Sequence, residues 1–173
     1  QAELLKRRVP FVVYGGIRFT ERRHIKDLVA YLRIIQNPMD AIAWHRILQL
    51  LPGVGKVTAR KIMEHVRRHQ GRLAPEEFGK QKFAQTLSEL QTAFEQAEQA
   101  KNPASQLEIV RKHYLPLLKT LQSDYLQRLP DLDVLLDLAG KYDQLEKFLT
   151  DFALDPPAQK FQDQTTPTLE QLD

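Results

Sequence analysis

Apolar residues recur every three or four positions along most of the chain, and this spacing predicts helices that each bury one face. The pattern therefore indicates a mainly α, multi-helix domain with one short strand candidate near the N-terminus. The predicted helices cover residues 20–35, 40–51, 56–69, 83–101, 103–114, 117–125, 130–140 and 143–154. Residues 72–82 predict a loop that contains one helical turn at 75–78.

Capping residues and prolines set the expected ends of these helices. Side chains that accept hydrogen bonds predict N-caps at Thr20, Asp40, Asn102 and Asp143. Gly71 and Gly140 predict two C-terminal ends. We expect Pro116 to kink its helix or to separate two helices, and Pro130 to begin another helix.

The strand candidate is the β-branched and aromatic run at residues 9–14, which Gly15 and Gly16 close as a turn. A lone strand cannot satisfy its own backbone groups. It therefore either pairs with protein outside this chain or is frayed, which suggests a fragment. At the other end, residues 156–173 are rich in Gln, Thr, Pro and Asp and predict a flexible linker.

Residues 50–63, LLPGVGKVTARKIM, carry the most informative motif. Pro52 ends the helix before it, and two glycines let the backbone turn sharply and approach another molecule closely. The helix that follows offers unpaired N–H groups and the positive end of its dipole to a phosphate. The apolar-Pro-Gly-apolar-Gly pattern resembles helix-hairpin-helix elements that bind duplex DNA. The predicted DNA-binding residues are Gly53, Val54, Gly55, Lys56, Thr58 and Arg60, with further charge from Lys61, Arg67 and Arg68.

Two other interpretations fit parts of this motif. A tight helix–helix connection needs glycine for packing alone, and the flanking cations favour phosphate binding over it. Gly55-Lys56 also ends like a Walker A loop, G-x-x-x-x-G-K-[ST], but the first glycine would fall at Leu50 and Val57 replaces the Ser or Thr. A P-loop follows a strand, whereas this turn follows a helix, so the motif is not a nucleotide-binding loop.

Charge is divided unevenly along the 173 residues. Residues 1–72 hold 15 Lys and Arg against 5 Asp and Glu, and residues 73–173 hold 10 against 17. Net charges of +10 and −7 therefore underlie the overall +3. A positive cluster around the turn at Gly53 and Gly55, called the glycine turn below, is typical of a protein that binds the nucleic-acid backbone. We expect the acidic half to be a solvated scaffold.

Composition limits the other classes. The chain has no cysteine, so disulfides and thiolate metal sites are excluded. No apolar run approaches 18 residues and no signal peptide is recognisable, so we expect no membrane partner and a cytoplasmic location.

The remaining candidates for chemistry are weaker. His65 and His69 have metal-ligand spacing on one helix, but no HExxH order or third ligand accompanies them. We therefore expect no metal site and assign both histidines to the basic face. The adjacent Glu76 and Glu77 would point apart, and Trp44 lies on an apolar stripe, which favours a core position. No catalytic residue and no cofactor of the chain's own is expected.

Residues 13–33 are similar to a known family. They read VYGGIRF at 13–19, ER at 21–22, IKD at 25–27 and AYLR at 30–33. This text resembles the segment of UvrD/Rep/PcrA-type superfamily 1 DNA helicases that leaves the second RecA-like domain, 2A, and enters the inserted 2B domain. His24 stands where the family usually has Glu. RLPDL at 128–132 and FLTDFALDPP at 148–157 resemble the last 2B helices.

The resemblance implies a remnant of 2A at residues 1–19, a helical 2B domain at 20–155 and a linker back to 2A at 156–173. It also implies a duplex-binding, regulatory part of an ATP-dependent 3′-to-5′ DNA helicase of repair or replication. Its partners would be double-stranded or forked DNA and domains 1A, 1B and 2A of the parent. ATP and Mg²⁺ belong to that parent, so the chain alone should not hydrolyse ATP. The residues implied at the 2A–2B hinge are Tyr14, Gly15, Gly16, Arg18, Phe19, Arg22, Lys26 and Asp27.

Two rival functions remain at this stage. A free-standing helix-hairpin-helix module of a repair protein would have no use for the block from Tyr14 to Asp27. A protein-interaction bundle would use the acidic helices at 83–154 as its working surface, and it predicts no salt-dependent DNA binding.

Overall fold

A computed structural model describes residues 18–154. Within this range the chain forms seven α-helices and two short 3₁₀ turns, at Phe19–Glu21 and Pro75–Phe78. The helices are α1 (Arg23–Gln36), α2 (Ala41–Leu48), α3 (Lys56–Arg68), α4 (Ala84–Gln99), α5 (Pro103–Leu121), α6 (Tyr125–Ala139) and α7 (Leu145–Leu154). The predicted mainly α fold is confirmed. The strand candidate at 9–14 and the linker after residue 155 lie outside the described residues.

Helix α1 is the centre of the domain. It packs against α2, α4, α5, α6 and α7. Ile25, Leu28, Tyr31 and Leu32 of α1 are fully buried, and they follow the three-to-four-residue stripe seen in the sequence. Burying such side chains contributes about 1.5–3 kcal/mol each, so this helix supplies much of the hydrophobic stabilisation. None of the helices in residues 18–154 is long and apolar enough to cross a bilayer.

Several predicted helix ends are confirmed. Asp40 accepts the backbone N–H of Ala43 at 3.0 Å and caps α2, and Asn102 accepts that of Ser105 at 2.9 Å and caps α5. Gly140 follows the last residue of α6. The helical turn at Pro75–Phe78 has the predicted bounds.

Two predicted N-caps are wrong. Thr20 lies inside the first 3₁₀ turn, and α1 begins at Arg23 after Arg22, which makes no side-chain capping bond. Helix α7 begins at Leu145, and the carbonyl of Gln144 accepts the N–H of Phe148 at 3.1 Å. Gln144 therefore holds the position that Asp143 was expected to fill.

Contrary to the prediction, Pro130 does not begin a helix, and of the two alternatives for Pro116 the separation of two helices is wrong. Pro116 lies inside the continuous helix α5, and Pro130 lies inside α6, which begins five residues earlier at Tyr125. A proline in a helix leaves the carbonyl four residues before it without its usual donor. Those carbonyls belong to Lys112 and Leu126, and both residues are exposed. Pro116 and Pro130 are exposed as well, so each proline lies on the solvent side of its helix, and packing of the opposite side holds the helix together.

Helix α3 ends in a different way from the one predicted. Gln70, with φ +56°, takes the left-handed position, and Gly71 follows it with φ +90°. The N–H of Gly71 donates to the carbonyl of Val66 and that of Gln70 to the carbonyl of Arg67, which is a Schellman end. Gly71 is still required, because a Cβ there would lie 2.3 Å from the Cβ of Pro38.

Candidate nucleic-acid interface

A short connection, residues 49–55, joins α2 to α3. Gly53 has φ +78°, a left-handed conformation that favours glycine. Leu51 is buried and Val54 is half-buried against the core, and the N–H of Val54 donates to the carbonyl of Leu51 at 3.2 Å. The two apolar residues therefore fix the turn from inside, while Gly53 and Gly55 are exposed on its outer side.

The first turn of α3 presents open backbone donors. Gly55 occupies the N-cap position and has no side chain, so no side-chain capping bond is made there. Its carbonyl accepts the N–H of Ala59 at 2.8 Å, which begins the helical ladder. The amides of residues 56–58 precede that ladder, and such orphan donors at a positive helix end suit an anionic acceptor. Lys56 is exposed and Thr58 half-buried on this turn.

The outer face of α3 is cationic. Ala59, Ile62 and Val66 are buried, which fixes the opposite face toward solvent. That face carries Lys56, Arg60, Lys61, Arg67 and Arg68, all exposed, and one exposed carboxylate, Glu64, lies among them. None of these five side chains forms an ion pair with another residue in the described part of the chain. The structure thus places the predicted DNA-binding residues on one turn and one helix face.

The two histidines do not extend this basic face, which corrects the expectation from the sequence. His65 is only 3% exposed and points to the inner side of α3, toward the second 3₁₀ turn. Its Nδ1 lies 3.3 Å from Oε2 of Glu77, and Nε2 of His69 lies 2.9 Å from Oε1 of the same carboxylate. The Glu77 carboxylate therefore lies beside both rings. The misassignment arose because the buried face of α3 includes position 65, between Ile62 and Val66.

The hydrogen bonds of His65 define its neutral state. Nε2 accepts the backbone N–H of Ala74 at 3.2 Å, so the proton of the neutral ring lies on Nδ1, on the side of Glu77. Burial lowers the pKa of His65 below its usual value, as does the nearby ring of His69. His65, His69 and Glu77 also offer ligand atoms within 4.8 Å of one another. A metal on Nδ1 would place the ring proton on Nε2, against the N–H of Ala74.

The block expected at the hinge is tied into the helical domain. Arg22 donates from Nη1 to both carboxylate oxygens of Asp131, at 2.9 and 2.8 Å. His24 lies with Nε2 2.6 Å from Asp131 and accepts from Arg128 on Nδ1 at 3.2 Å. The pKa of Asp131 is lowered by its hydrogen bonds to His24 and Arg22, which outweigh the opposing effect of burial. His24 thus has a buried acidic partner in Asp131.

Asp27 makes a second internal connection. It is 1% exposed, and it accepts from Nε of Arg46 at 2.8 Å and from the hydroxyl of Tyr114 at 2.6 Å. Burial, more than the neighbouring Asp27 charge, raises the pKa of Tyr114 far above its usual value, so this hydroxyl stays a donor. The carboxylate therefore joins α1 to α2 and α5.

The other hinge candidates have varied environments. Phe19 is buried, Arg18 is exposed, and Lys26 forms an exposed ion pair with Glu21 at 2.9 Å. Tyr14, Gly15 and Gly16 lie outside the described residues. Sequence reasoning did not identify Asp131 as the partner of Arg22 and His24, because nothing local signals a pairing across 109 positions.

The fold and the surface together define a class of protein: a helical domain whose exposed glycine turn adjoins a helix face rich in Lys and Arg. Comparison with known proteins agrees with this description. Residues 1–166 match the family model of the UvrD-like helicase C-terminal domain. The chain belongs to this family, and thus to the C-terminal region of UvrD-like superfamily 1 DNA helicases.

Three relatives illustrate the match. The chain is 30% identical over 160 residues to a probable DNA helicase II homolog of Mycoplasma capricolum, covering 88% of this chain and 21% of that protein. It is 51% identical over 45 residues to the ATP-dependent DNA helicase UvrD1 of Mycobacterium tuberculosis, covering 26% and 6%. It is 38% identical over 68 residues to DNA helicase II of Escherichia coli, covering 39% and 9%. The chain therefore spans about a fifth or less of the length of these relatives.

Proposed function

We propose that this chain is the 2B domain of an ATP-dependent 3′-to-5′ DNA helicase and that it holds the duplex ahead of the fork. In this role the turn at Gly53 and Gly55 approaches the phosphate backbone, and the first-turn amides of α3 donate to it. Lys56 and Arg60 add charge beside them. Positive charge continues along α3 at Lys61, Arg67 and Arg68. Such contacts read the backbone and not the base sequence.

The observation that carries this proposal is the unpaired state of the cationic face. Five exposed Lys and Arg side chains on α3 have no ion-pair partner among residues 18–154. Neighbouring positive charges repel one another, and a polyanion bound from outside would neutralise this repulsion. A surface of this kind therefore favours binding of a polyanion such as DNA. They adjoin an exposed glycine turn, and the family to which the chain belongs comprises DNA helicases.

The motor functions belong to the rest of the parent protein in this proposal. The chain contains no G-x-x-x-x-G-K-[ST] sequence, so it offers no residues that fit the phosphates of ATP with Mg²⁺. We expect no ATP hydrolysis by the chain alone. Domains 1A, 1B and 2A of the parent would bind nucleotide and translocate, and the block from Arg18 to Asp27 would connect them to the duplex-binding helices.

A titration by fluorescence anisotropy tests the DNA-binding role. Labelled duplex, forked and single-stranded DNA are titrated with the 173-residue chain at several salt concentrations. We expect duplex and fork to bind better than the single strand, with affinity that falls as salt rises. The double variant Lys56→Gln/Arg60→Gln should lose about two units of the slope of log affinity against log salt.

A matched control separates the site from general charge. Lys101→Gln/Lys112→Gln removes the same charge from exposed positions at and near helix α5. It should leave the salt slope within about half a unit of the parent chain. Equal slopes for both double variants would contradict the proposed interface. Salt-independent or absent duplex binding would favour a protein-interaction bundle instead.

A further inference from the structure

The segment of residues 79–83 lies directly beside the glycine turn. An ideal Cβ built on Gly53 would be 3.9 Å from the Cβ of Phe83. The two segments are thirty positions apart in the chain, so their proximity is a product of the fold. The segment reads Gly-Lys-Gln-Lys-Phe, and both of its lysines are exposed.

A row of rings holds this segment in place. The rings of His65 and Phe78 have centroids 4.8 Å apart, and those of Phe78 and Phe83 are 5.5 Å apart. Phe83 is itself buried. The row therefore runs from the inner side of α3 through the second 3₁₀ turn to Phe83, whose Cβ faces Gly53.

Backbone hydrogen bonds fix the same segment. The N–H of Gln81 donates to the carbonyl of Phe78 at 3.4 Å, and that of Ala84 donates to the carbonyl of Gln81 at 2.9 Å. Lys80 and Lys82 flank Gln81, so their backbone positions are set by these two turns. Neither side chain forms an ion pair with another residue between 18 and 154. Glu77, which precedes this segment, lies beside the rings of His65 and His69 and is paired with them instead of with the lysines.

We propose that Lys80 and Lys82 form a second phosphate-binding segment, which extends the interface of the glycine turn and α3 along the duplex backbone. The inference rests on the proposed function, because it assigns further residues to the same DNA-binding surface. Lys82 directly precedes Phe83 and Lys80 lies three residues before it. Since consecutive Cα atoms are about 3.8 Å apart, the Cα of Lys80 lies at most about 11 Å from that of Phe83. A phosphate bound between this segment and Gly53 would bring both lysines and the turn to one stretch of DNA backbone. The contacts would be independent of base sequence.

The test compares Lys80→Gln/Lys82→Gln with the control Lys101→Gln/Lys112→Gln in the 173-residue chain. Each lost phosphate contact should lower the magnitude of the salt slope by about 0.9, so the first variant should lose nearly two units. Its duplex affinity at 100 mM salt should fall about tenfold or more. The control should change neither quantity appreciably. Lys80→Arg/Lys82→Arg should restore binding, because it keeps both charges.

The outcomes distinguish this inference from the proposed function. If Lys56→Gln/Arg60→Gln weakens duplex binding while Lys80→Gln/Lys82→Gln behaves like the control, the second segment is wrong and the first interface stands. If the parent chain shows no salt-dependent duplex binding, both are wrong. If only the Lys80 and Lys82 variant weakens binding, the interface lies on this segment and not on α3. Far-UV circular dichroism of each variant verifies that the helices are retained.

Discussion

One guanidinium nitrogen of Arg22 bonds both carboxylate oxygens of Asp131, at 2.9 and 2.8 Å, across 109 positions of the chain. Both side chains are largely buried, at 11% and 6% exposure. The pair joins the residue before α1 to the middle of α6. The segment by which the chain enters its helical domain is thus fastened to one of the last helices.

Asp131→Asn should destabilise the domain strongly. The amide keeps the shape of the carboxylate but removes the buried negative charge that faces Arg22 and His24, and breaking such a buried pair costs about 3 kcal/mol or more. Asp133→Asn is the matched control, because Asp133 forms an exposed pair with Arg111. Such surface pairs contribute about 1 kcal/mol or less. Urea unfolding, followed by the fluorescence of the buried Trp44, measures both. Equal losses would contradict the importance of the buried pair.

Stability should fall as the pH drops below neutrality, partly through His65. The pKa of His65 in the folded protein is lowered from 6.5, so the unfolded chain takes up the proton first. Stability is therefore greatest above pH 6.5 and is lost as the pH falls from there toward the lower folded pKa. Protonation would place a hydrogen on Nε2, where the N–H of Ala74 donates.

The variant His65→Gln isolates this contribution. Glutamine does not titrate, and its carbonyl oxygen can accept the N–H of Ala74. The variant should lose less stability than the parent chain between pH 7.5 and 5.5, although His113, whose pKa is also lowered by burial, keeps part of the dependence. An unaltered profile for His65→Gln would overturn the assignment.

Gly71→Ala should be far more damaging than Gly79→Ala. Both glycines have positive φ, +90° and +60°, so both variants carry backbone strain of about 1–3 kcal/mol. Only at Gly71 would the added Cβ meet another residue, Pro38, at 2.3 Å, which adds about 1–3 kcal/mol of overpacking. A thermal-unfolding comparison measures the difference. Equal losses would show that the Pro38 contact is not restrictive.

Gly55→Ala should separate DNA binding from folding. Gly55 has φ −88°, and a Cβ there meets nothing within 4 Å, so the fold accepts alanine at the modest cost of a poorer N-cap. On the proposed surface the same methyl group would stand between the turn and a phosphate. We expect duplex affinity to fall severalfold with little change in unfolding. Gly140→Ala, at the end of α6, is the control. Unchanged affinity in Gly55→Ala would argue against close approach of the backbone at this turn.

The helical architecture was predictable because the apolar residues recur every three or four positions, a spacing that a helix places on one face. The stripe of α1, from Ile25 to Leu32, became the centre of the core, and Asp40 and Asn102 capped the helices that local sequence assigned to them. The prolines led to wrong helix boundaries in the prediction. Whether Pro116 ends a helix depends on which side of that helix faces water. That is a property of the packed domain and not of the local sequence.

In the candidate interface, too, some features follow from the local sequence and others only from the packing of the domain. Its charge and glycine turn are local features, so the residues from Gly53 to Arg60 could be identified from the sequence. The inner position of His65 and its bond to Ala74 depend on how the second 3₁₀ turn packs on α3. The proximity of Phe83 to Gly53 likewise arises only when that turn is folded.

The central claim, that the glycine turn and α3 bind the duplex, is tested most directly by NMR. Backbone amide shifts of the isotopically labelled chain are recorded while unlabelled forked DNA is added at low salt. We expect the largest changes at Gly53, Gly55, Lys56 and the amides that follow on α3, and these changes should reverse when salt is added. Changes centred on α5 and α6, with the turn unaffected, would contradict it.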